Sequence, residues 1–285
     1  MKIETINDKI FYHIDELFYN VVIGAIELPT KIFMFDTGTN IRKAKIFKEE
    51  IEKKTDKKIE IVINSHYHGD HFIGNQVFSD ARIISSEITQ KRIQEGVSKW
   101  TDEVIENAKK RIDDPLALEG LIPTSPKESF NGQMEIEDGG VKIILKQTGG
   151  HTDGSIYAYY PEYKVLFAGD NLFVTSYPWG GEESCNPDDW INAFKEYLSL
   201  DLDYIIPGHG PAINKEKLAY SLNYFEQVKE TMKQMNADGK PEEEILKKCF
   251  NIEFYPIHPQ NKGDHGGKKT TLKKWYNFWI GNNNK

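Results

Sequence analysis

Short, nearly uninterrupted apolar runs alternate with amphipathic stretches along the first two hundred or so residues. Val21-Val22-Ile23-Gly24-Ala25-Ile26 and Ile32-Phe33-Met34-Phe35 predict strands, and runs this continuous suit strands covered on both faces. Ile41, Ala44, Phe47 and Ile51 recur at helical spacing and predict a helix from Ile41 to Lys54. Ile61-Val62-Ile63 and Arg82-Ile83-Ile84 predict two more strands, with Gly69 and Gly74-Asn75 between them read as loop. From about Ser86 to Asp113 the pattern is helical and heavily charged, and Pro115 and Pro123 break it. The stretch Pro123–Gly132 has the composition of turns. Gly139-Gly140 between Met134–Asp138 and Val141–Leu145 predicts a hairpin. Ser155–Tyr160, Lys164–Ala168 and Tyr204–Ile206 complete the strands, and Asn186 with Pro187 opens a helix running to about Leu200. Beyond Pro211 only helical periodicity remains, over Lys215–Asn236, Pro241–Cys249 and Thr271–Trp279. Strands interleaved with helices predict an α/β (α+β) domain over residues 1–212 and a C-terminal helical extension over residues 213–285.

Composition narrows the function classes. The chain has 285 residues and a formal net charge of −8, the opposite of the basic footprint expected of a nucleic-acid-binding protein. Its two cysteines, Cys185 and Cys249, make no disulfide framework, which points to a reducing compartment. The first residues lack the apolar run of a signal peptide, and no stretch reaches the length of a membrane span. The expectation is a cytoplasmic protein with a small-molecule substrate and neither nucleic acid nor membrane as partner.

The chemistry concentrates in Ser65-His66-Tyr67-His68-Gly69-Asp70-His71, just after a predicted buried strand. In extended chain His66 and His68 project to the same side, while Asp70 and His71 can face a neighbouring position. Three further candidates, His151, Asp170 and His209, each stand where an apolar strand gives way to glycine, which lets backbone approach a crowded site. Nitrogen and carboxylate donors without thiolate suit zinc, and iron or manganese fit the same set. Seven ligands cannot surround one tetrahedral ion. Two ions account for them, with His66, His68 and His151 on one, Asp70, His71 and His209 on the other, and Asp170 bridging.

These motifs resemble the metallo-β-lactamase superfamily. Its His-x-His-x-Asp-His signature is matched by His66-Tyr67-His68-Gly69-Asp70-His71, and its later motifs by Gly150-His151-Thr152, Gly169-Asp170-Asn171 and Gly208-His209-Gly210. Asp36-Thr37-Gly38 matches the early strand-end motif, so the resemblance covers about residues 10–212. It implies a four-layer αββα sandwich with metals at one edge, and a hydrolase in which a hydroxide bridging two zinc ions attacks a carbonyl or phosphorus centre. It also implies that Asp70 relays the water proton and that Asp36 hydrogen-bonds a ligand histidine.

Subfamily patterns narrow the substrate. Asp170 stands where many true β-lactamases carry Cys or Ser, and His68 where flavodiiron proteins carry Glu. The Pro-x-Lys-x-Arg-Asn loop of transfer-RNA nucleases is missing. Glyoxalase II has the same ligand types, although Gly208-His209-Gly210-Pro211 replaces its Gly-His-Glu-Tyr-Thr pattern; acyl-homoserine lactonases share the bridging Asp and a nearby Tyr. The resemblance therefore implies cleavage of a small carboxylic ester, thioester, lactone or lactam, with a phosphodiesterase or nuclease and a non-catalytic metal-binding protein as the alternatives.

Other residues have two readings each. Tyr177, just after the Asp170 motif, is a candidate catalytic oxyanion donor or a loop-packing residue. Cys185 reads as a free loop cysteine, since the coordination is complete without it. His258 and His265 read as solvated rather than ligating, and the Lys268-Lys269 and Lys273-Lys274 pairs as a solvated helix face. The Ser86–Asp113 helix and Tyr177–Cys185 are expected to wall the metals. The aromatic segment Trp275–Trp279 suits docking on its own domain or on a second subunit, as in a homodimer.

Overall fold

Two sheets stack face to face in the computed structural model, which describes residues 1–174, 176–254 and 265–281. The first runs in chain order through β1 (Glu4–Thr5), β2 (Ile10–Asp15), β3 (Val21–Glu27), β4 (Ile32–Phe35), β5 (Ile59–Ile63), β6 (Arg82–Ser86) and β7 (Glu128–Phe130). Its pairs are antiparallel up to β4 and parallel from β4 to β7. The second contains β8 (Gln133–Asp138), β9 (Val141–Gln147), β10 (Ile156–Tyr160), β11 (Val165–Phe167) and β12 (Tyr204–Ile206), with β11 and β12 its parallel pair. The helices are α1 (Ile41–Thr55), α2 (Gly69–Phe72), α3 (Glu87–Val97), α4 (Asp102–Lys109), α5 (Pro187–Ser199), α6 (Lys215–Ala237), α7 (Glu242–Phe250) and α8 (His265–Trp279). Among the described residues no helix is long and apolar enough to cross a membrane.

The period-two alternation of each strand builds the layers. Val22 and Ile26 of β3, Ile61 and Ile63 of β5, and Ile156, Ala158 and Tyr160 of β10 face one another between the sheets. Ile23, Ala25 and Val62 face the other way, against Ala44, Phe47 and Ile51 of α1. Tyr157, Tyr159 and Leu166 turn outward beneath Trp190, Phe194 and Tyr197 of α5. Helix, sheet, sheet and helix therefore stack as the expected αββα sandwich. Gly24 is required where the sheets press together: a Cβ there would lie 2.1 Å from the Phe167 ring.

Local departures from the sequence reading have local causes. The charged 86–113 stretch is two helices, because Ser86 caps α3 at Thr89 N and Thr101 caps a second start at Val104 N. Gly69 and Gly74-Asn75, expected in a loop, fall in α2 and the 3₁₀ turn Ile73–Phe78 that follows. β7 forms within the turn-rich stretch by pairing with β6. Gly139-Gly140 makes the hairpin turn, both residues at positive φ (55° and 87°).

The helical extension shares a core with the sandwich. Phe225 and Val228 of α6, Ile245 of α7 and Trp275 of α8 are fully buried in the same cluster as Trp190 and Leu166. Trp279 is buried there too, so the aromatic C-terminal segment docks on its own chain. Phe225, ringed by Trp190, Phe194 and Trp275, tests this continuity. Phe225→Ala is expected to cost about 3–5 kcal/mol in urea unfolding, in one transition for the whole chain. An extension that unfolds separately from the sandwich contradicts the shared core.

Candidate metal centre

Strand ends from both sheets converge at one edge of the sandwich. β5 leads through Asn64 and Ser65 into His66, and Ser65 O accepts from Ile156 N of the facing sheet at 3.0 Å. His71 lies in α2, where its carbonyl accepts from Thr37 N at 2.9 Å. Gly149-Gly150 turns the chain after β9 with φ of 67° and 102° and delivers His151, whose N–H donates to Asn171 Oδ1. Asp170 lies in the 3₁₀ turn after β11, and His209 follows β12 and bridges to Val21 and Phe173. A Cβ on Gly208 would lie 2.0 Å from Asp170 Oδ1, so glycine lets the last strand end close on that carboxylate.

The seven candidate ligands form two groups of ligand atoms, His66, His68, His151 and Asp170 in one and Asp70, His71 and His209 in the other, each within 4.8 Å. Asp170 belongs to both by distance. Its Oδ2 lies 3.7 Å from His66 Nε2, 3.5 Å from His151 Nε2 and 3.2 Å from His209 Nε2, and its Oδ1 lies 3.1 Å from His71 Nε2. Asp70 Oδ2 is 3.6 Å from His71 Nε2 and 3.4 Å from His209 Nε2. Donors around a tetrahedral zinc ion at about 2.0–2.1 Å lie about 3.3 Å apart, so these spacings fit. His66 Nε2, His71 Nε2 and Asp170 Oδ1 are buried and without a hydrogen-bond partner, which fits ligand atoms that would hold a metal ion.

Outward-facing nitrogens fix which atom each ring offers. A carbonyl only accepts, so His151 Nδ1 donates to Trp179 O (2.7 Å) and His209 Nδ1 to Tyr19 O (2.9 Å), leaving Nε2 lone pairs turned inward. His71 Nδ1 lies 2.8 Å from Asp36 Oδ2. Ser65 Oγ donates to Asp36 Oδ2 at 2.7 Å and accepts from His66 Nδ1 at 3.0 Å. Asp36, at φ 59° and fully buried, thus steadies one ring in each group. His68 is reversed: its Nδ1 lies 3.0 Å from His151 Nε2, and its Nε2 lies 3.5 Å from Glu182 Oε2. His68 and Asp70 keep 24% and 29% of their side-chain surface, so the open side of the centre is theirs.

Electrostatics divide the two groups. Burial and the neighbouring His71 hold His66 well below the ordinary imidazole range, and burial pushes His151 down to about 3. Burial opposes charge on His71 and His209 as well, but there the nearby carboxylates, Asp170 foremost, prevail and raise both. Burial likewise opposes charge on Asp170, and His209, His71 and His66 outweigh it and hold the carboxyl well below its usual value. Burial raises Asp36. The His68 ring beside Glu182 draws its carboxyl down to about 2.

Not every expected site residue joins the centre. Tyr177 is buried, and its hydroxyl lies 2.8 Å from that of Tyr224 while its ring packs on Tyr224 and Phe254. It is a packing residue at the junction with the extension, which corrects its assignment as oxyanion donor. Cys185 is buried, and burial pushes its thiol up to about 12, unlike a ligand or nucleophile. His258 and the side chain of His265 lie outside the described residues. Lys268 is half-buried and donates to Ile252 O, so that pair is not simply a solvated face. Of the expected wall, Arg92 stands 5.7 Å from the Tyr67 ring, and a Cβ on Gly69 would lie 3.9 Å from Trp100. No sequence motif marks the roles of Ser65, Glu182 and the Trp179 and Tyr19 carbonyls, although Trp179 and Glu182 both fall inside the expected Tyr177–Cys185 wall.

The family model of the metallo-beta-lactamase superfamily matches residues 18–209. The linear primary-alkylsulfatase of Pseudomonas sp. (strain ATCC 19151) is 22% identical over 290 residues, covering 90% of this chain and 55% of that protein. The beta-lactamase-like protein 2 homolog of Caenorhabditis elegans is 25% identical over 192 residues, 65% of this chain and 54% of that one. The chain thus spans about half the length of both relatives. Among solved structures, a metallo-beta-lactamase from Pontibacter korlensis superposes with a TM-score of 0.61 at 17% identity, over 79% of this chain and 98% of that one, a likeness of fold.

Asp36→Asn keeps the shape and removes the charge that holds His71. The expected result is about 10- to 100-fold weaker zinc binding in a chelator competition, with the circular dichroism spectrum unchanged. Unaltered affinity contradicts the orienting role.

Proposed function

The chain belongs to the metallo-beta-lactamase superfamily, and we propose that it is a dinuclear zinc hydrolase of small carboxylic esters, thioesters, lactones or lactams. One observation carries this reading: two groups of inward-facing ligand atoms share Asp170, and one side of them is open. When bound, the two ions would supply an activated water and polarise the substrate oxygen. His66, His68 and His151 would hold one, Asp70, His71 and His209 the other, and Asp170 would bridge.

The chain's own groups define the remaining steps. Asp70, partly exposed beside His71 and His209, is the carboxylate placed to take the proton of the attacking water and pass it to the leaving group. Asp36 and Ser65 keep His71 and His66 in the tautomer that points Nε2 inward. Tyr177 is turned into the helical extension, where its hydroxyl lies beside that of Tyr224.

A second reading has separate support. The alkylsulfatase aligns over 90% of this chain, so a sulfate ester is the alternative substrate. The same metal-dependent attack would then fall on a sulfate rather than an acyl group.

The test is a panel of acyl ester, thioester, lactone, β-lactam, dodecyl sulfate and bis(p-nitrophenyl) phosphate, assayed with zinc, with chelator and with His66→Ala. The expected outcome is zinc-dependent turnover greatest on a carboxylic substrate and reduced to background by chelation and by the substitution. Faster release of sulfate favours the second reading. Faster cleavage of the phosphodiester, or no metal-dependent turnover of any substrate, overturns both.

A further inference from the structure

We propose that residues 179–182 are a positioning loop for the His66, His68 and His151 group, and that helix α8 of the C-terminal extension holds this loop in place through Thr271. The inference rests on the reading above that this group holds a metal ion.

Two outer nitrogens of the group end on this loop. His151 Nδ1 donates to Trp179 O at 2.7 Å, and His68 Nε2 lies 3.5 Å from Glu182 Oε2. His66 is instead steadied through Ser65, so the loop governs the other two rings of this group and none of the second. Glu182 is itself aimed by neighbours: Tyr67 Oη donates to its Oε1 at 2.8 Å and lies 2.8 Å from Ser184 Oγ.

The loop is glycine-rich, and Gly180-Gly181 has little conformational preference of its own. Its shape is imposed from α8. Gly180 N donates to Thr271 Oγ1 at 2.9 Å, and that hydroxyl donates to Pro178 O at 3.3 Å. Thr271 is fully buried, so both bonds are sheltered from water. The contact is tight: a Cβ on Gly180 would lie 2.7 Å from Trp275 Nε1 and 2.8 Å from Thr271 Cγ2. One hydroxyl on a helix some sixty residues past the last ligand thus fixes two peptide groups, and those fix the acceptors of His151 and His68.

Full-length wild type, Glu182→Ala, Thr271→Val and Thr271→Ser are to be loaded with zinc, and the affinity of each ion measured by chelator competition. Cobalt substitution supplies a visible spectrum of the ligand field, and thermal melting reports the fold. Wild type is expected to bind two ions. Glu182→Ala and Thr271→Val should each weaken one ion by about 10- to 100-fold and leave the other unchanged. Thr271→Ser, which keeps the hydroxyl, should restore wild-type affinity and the wild-type cobalt spectrum. A merely structural role would weaken both ions together and lower the melting temperature. That result, or unchanged affinities in both variants of a wild type that binds two ions, overturns this inference alone. A wild type that takes up no zinc overturns the functional reading and this inference with it.

Discussion

Each imidazole at the centre must carry its proton on the nitrogen facing away from it. A neutral ring has one donor and one acceptor, and a ring that flips presents a proton where a lone pair is needed. Four of the five rings are essentially buried, so an unpaired nitrogen would cost a few kcal/mol on either side. The solution is one acceptor per outer nitrogen: Ser65 Oγ for His66, Asp36 for His71, the Trp179 carbonyl for His151 and the Tyr19 carbonyl for His209. Asp36 is the node, because it holds His71 directly and His66 through Ser65. Its left-handed backbone conformation is a cost that the fold sustains where a side chain must be aimed.

That network in turn dictates how the sheets meet. Ser65 ends β5 in one sheet, and its carbonyl takes a hydrogen bond from Ile156 in the other. A Cβ on Gly169 would sit 2.9 Å from Ser65 Cβ, so the turn carrying Asp170 passes directly over the residue that relays Asp36 to His66. The candidate ligands therefore sit on short helices and turns that directly follow the strands, and their spacing is a property of the sandwich.

Legibility in the sequence follows the same physics. The seven candidate ligands that the fold brings together are legible because side-chain chemistry is written in residue identity, and strand ends are legible because runs such as Ile61-Val62-Ile63 are apolar on both faces. The Trp179 and Tyr19 carbonyls were not readable, since every residue has a carbonyl and only the fold says which one meets a histidine. Tyr177 misled for the converse reason. It lies close to Asp170 in sequence, but proximity along the chain carries no direction, and its ring turns to Tyr224 of α6. β7 was missed because pairing with β6, a tertiary contact, overrides its turn-rich composition.

Charge in this site is dense and unevenly distributed. Asp70 and Asp170 among the ligands, with Asp36 and Glu182 behind them, place four carboxylates around five imidazoles. The balance is uneven: the carboxylates raise His71 and His209, while burial lowers His66 and His151. A bound cation would offset the carboxylates and favour the neutral, ligating form of the raised rings. Asp170 is central because its two oxygens reach imidazoles of both groups, at 3.1–3.7 Å, so its charge acts on each of them.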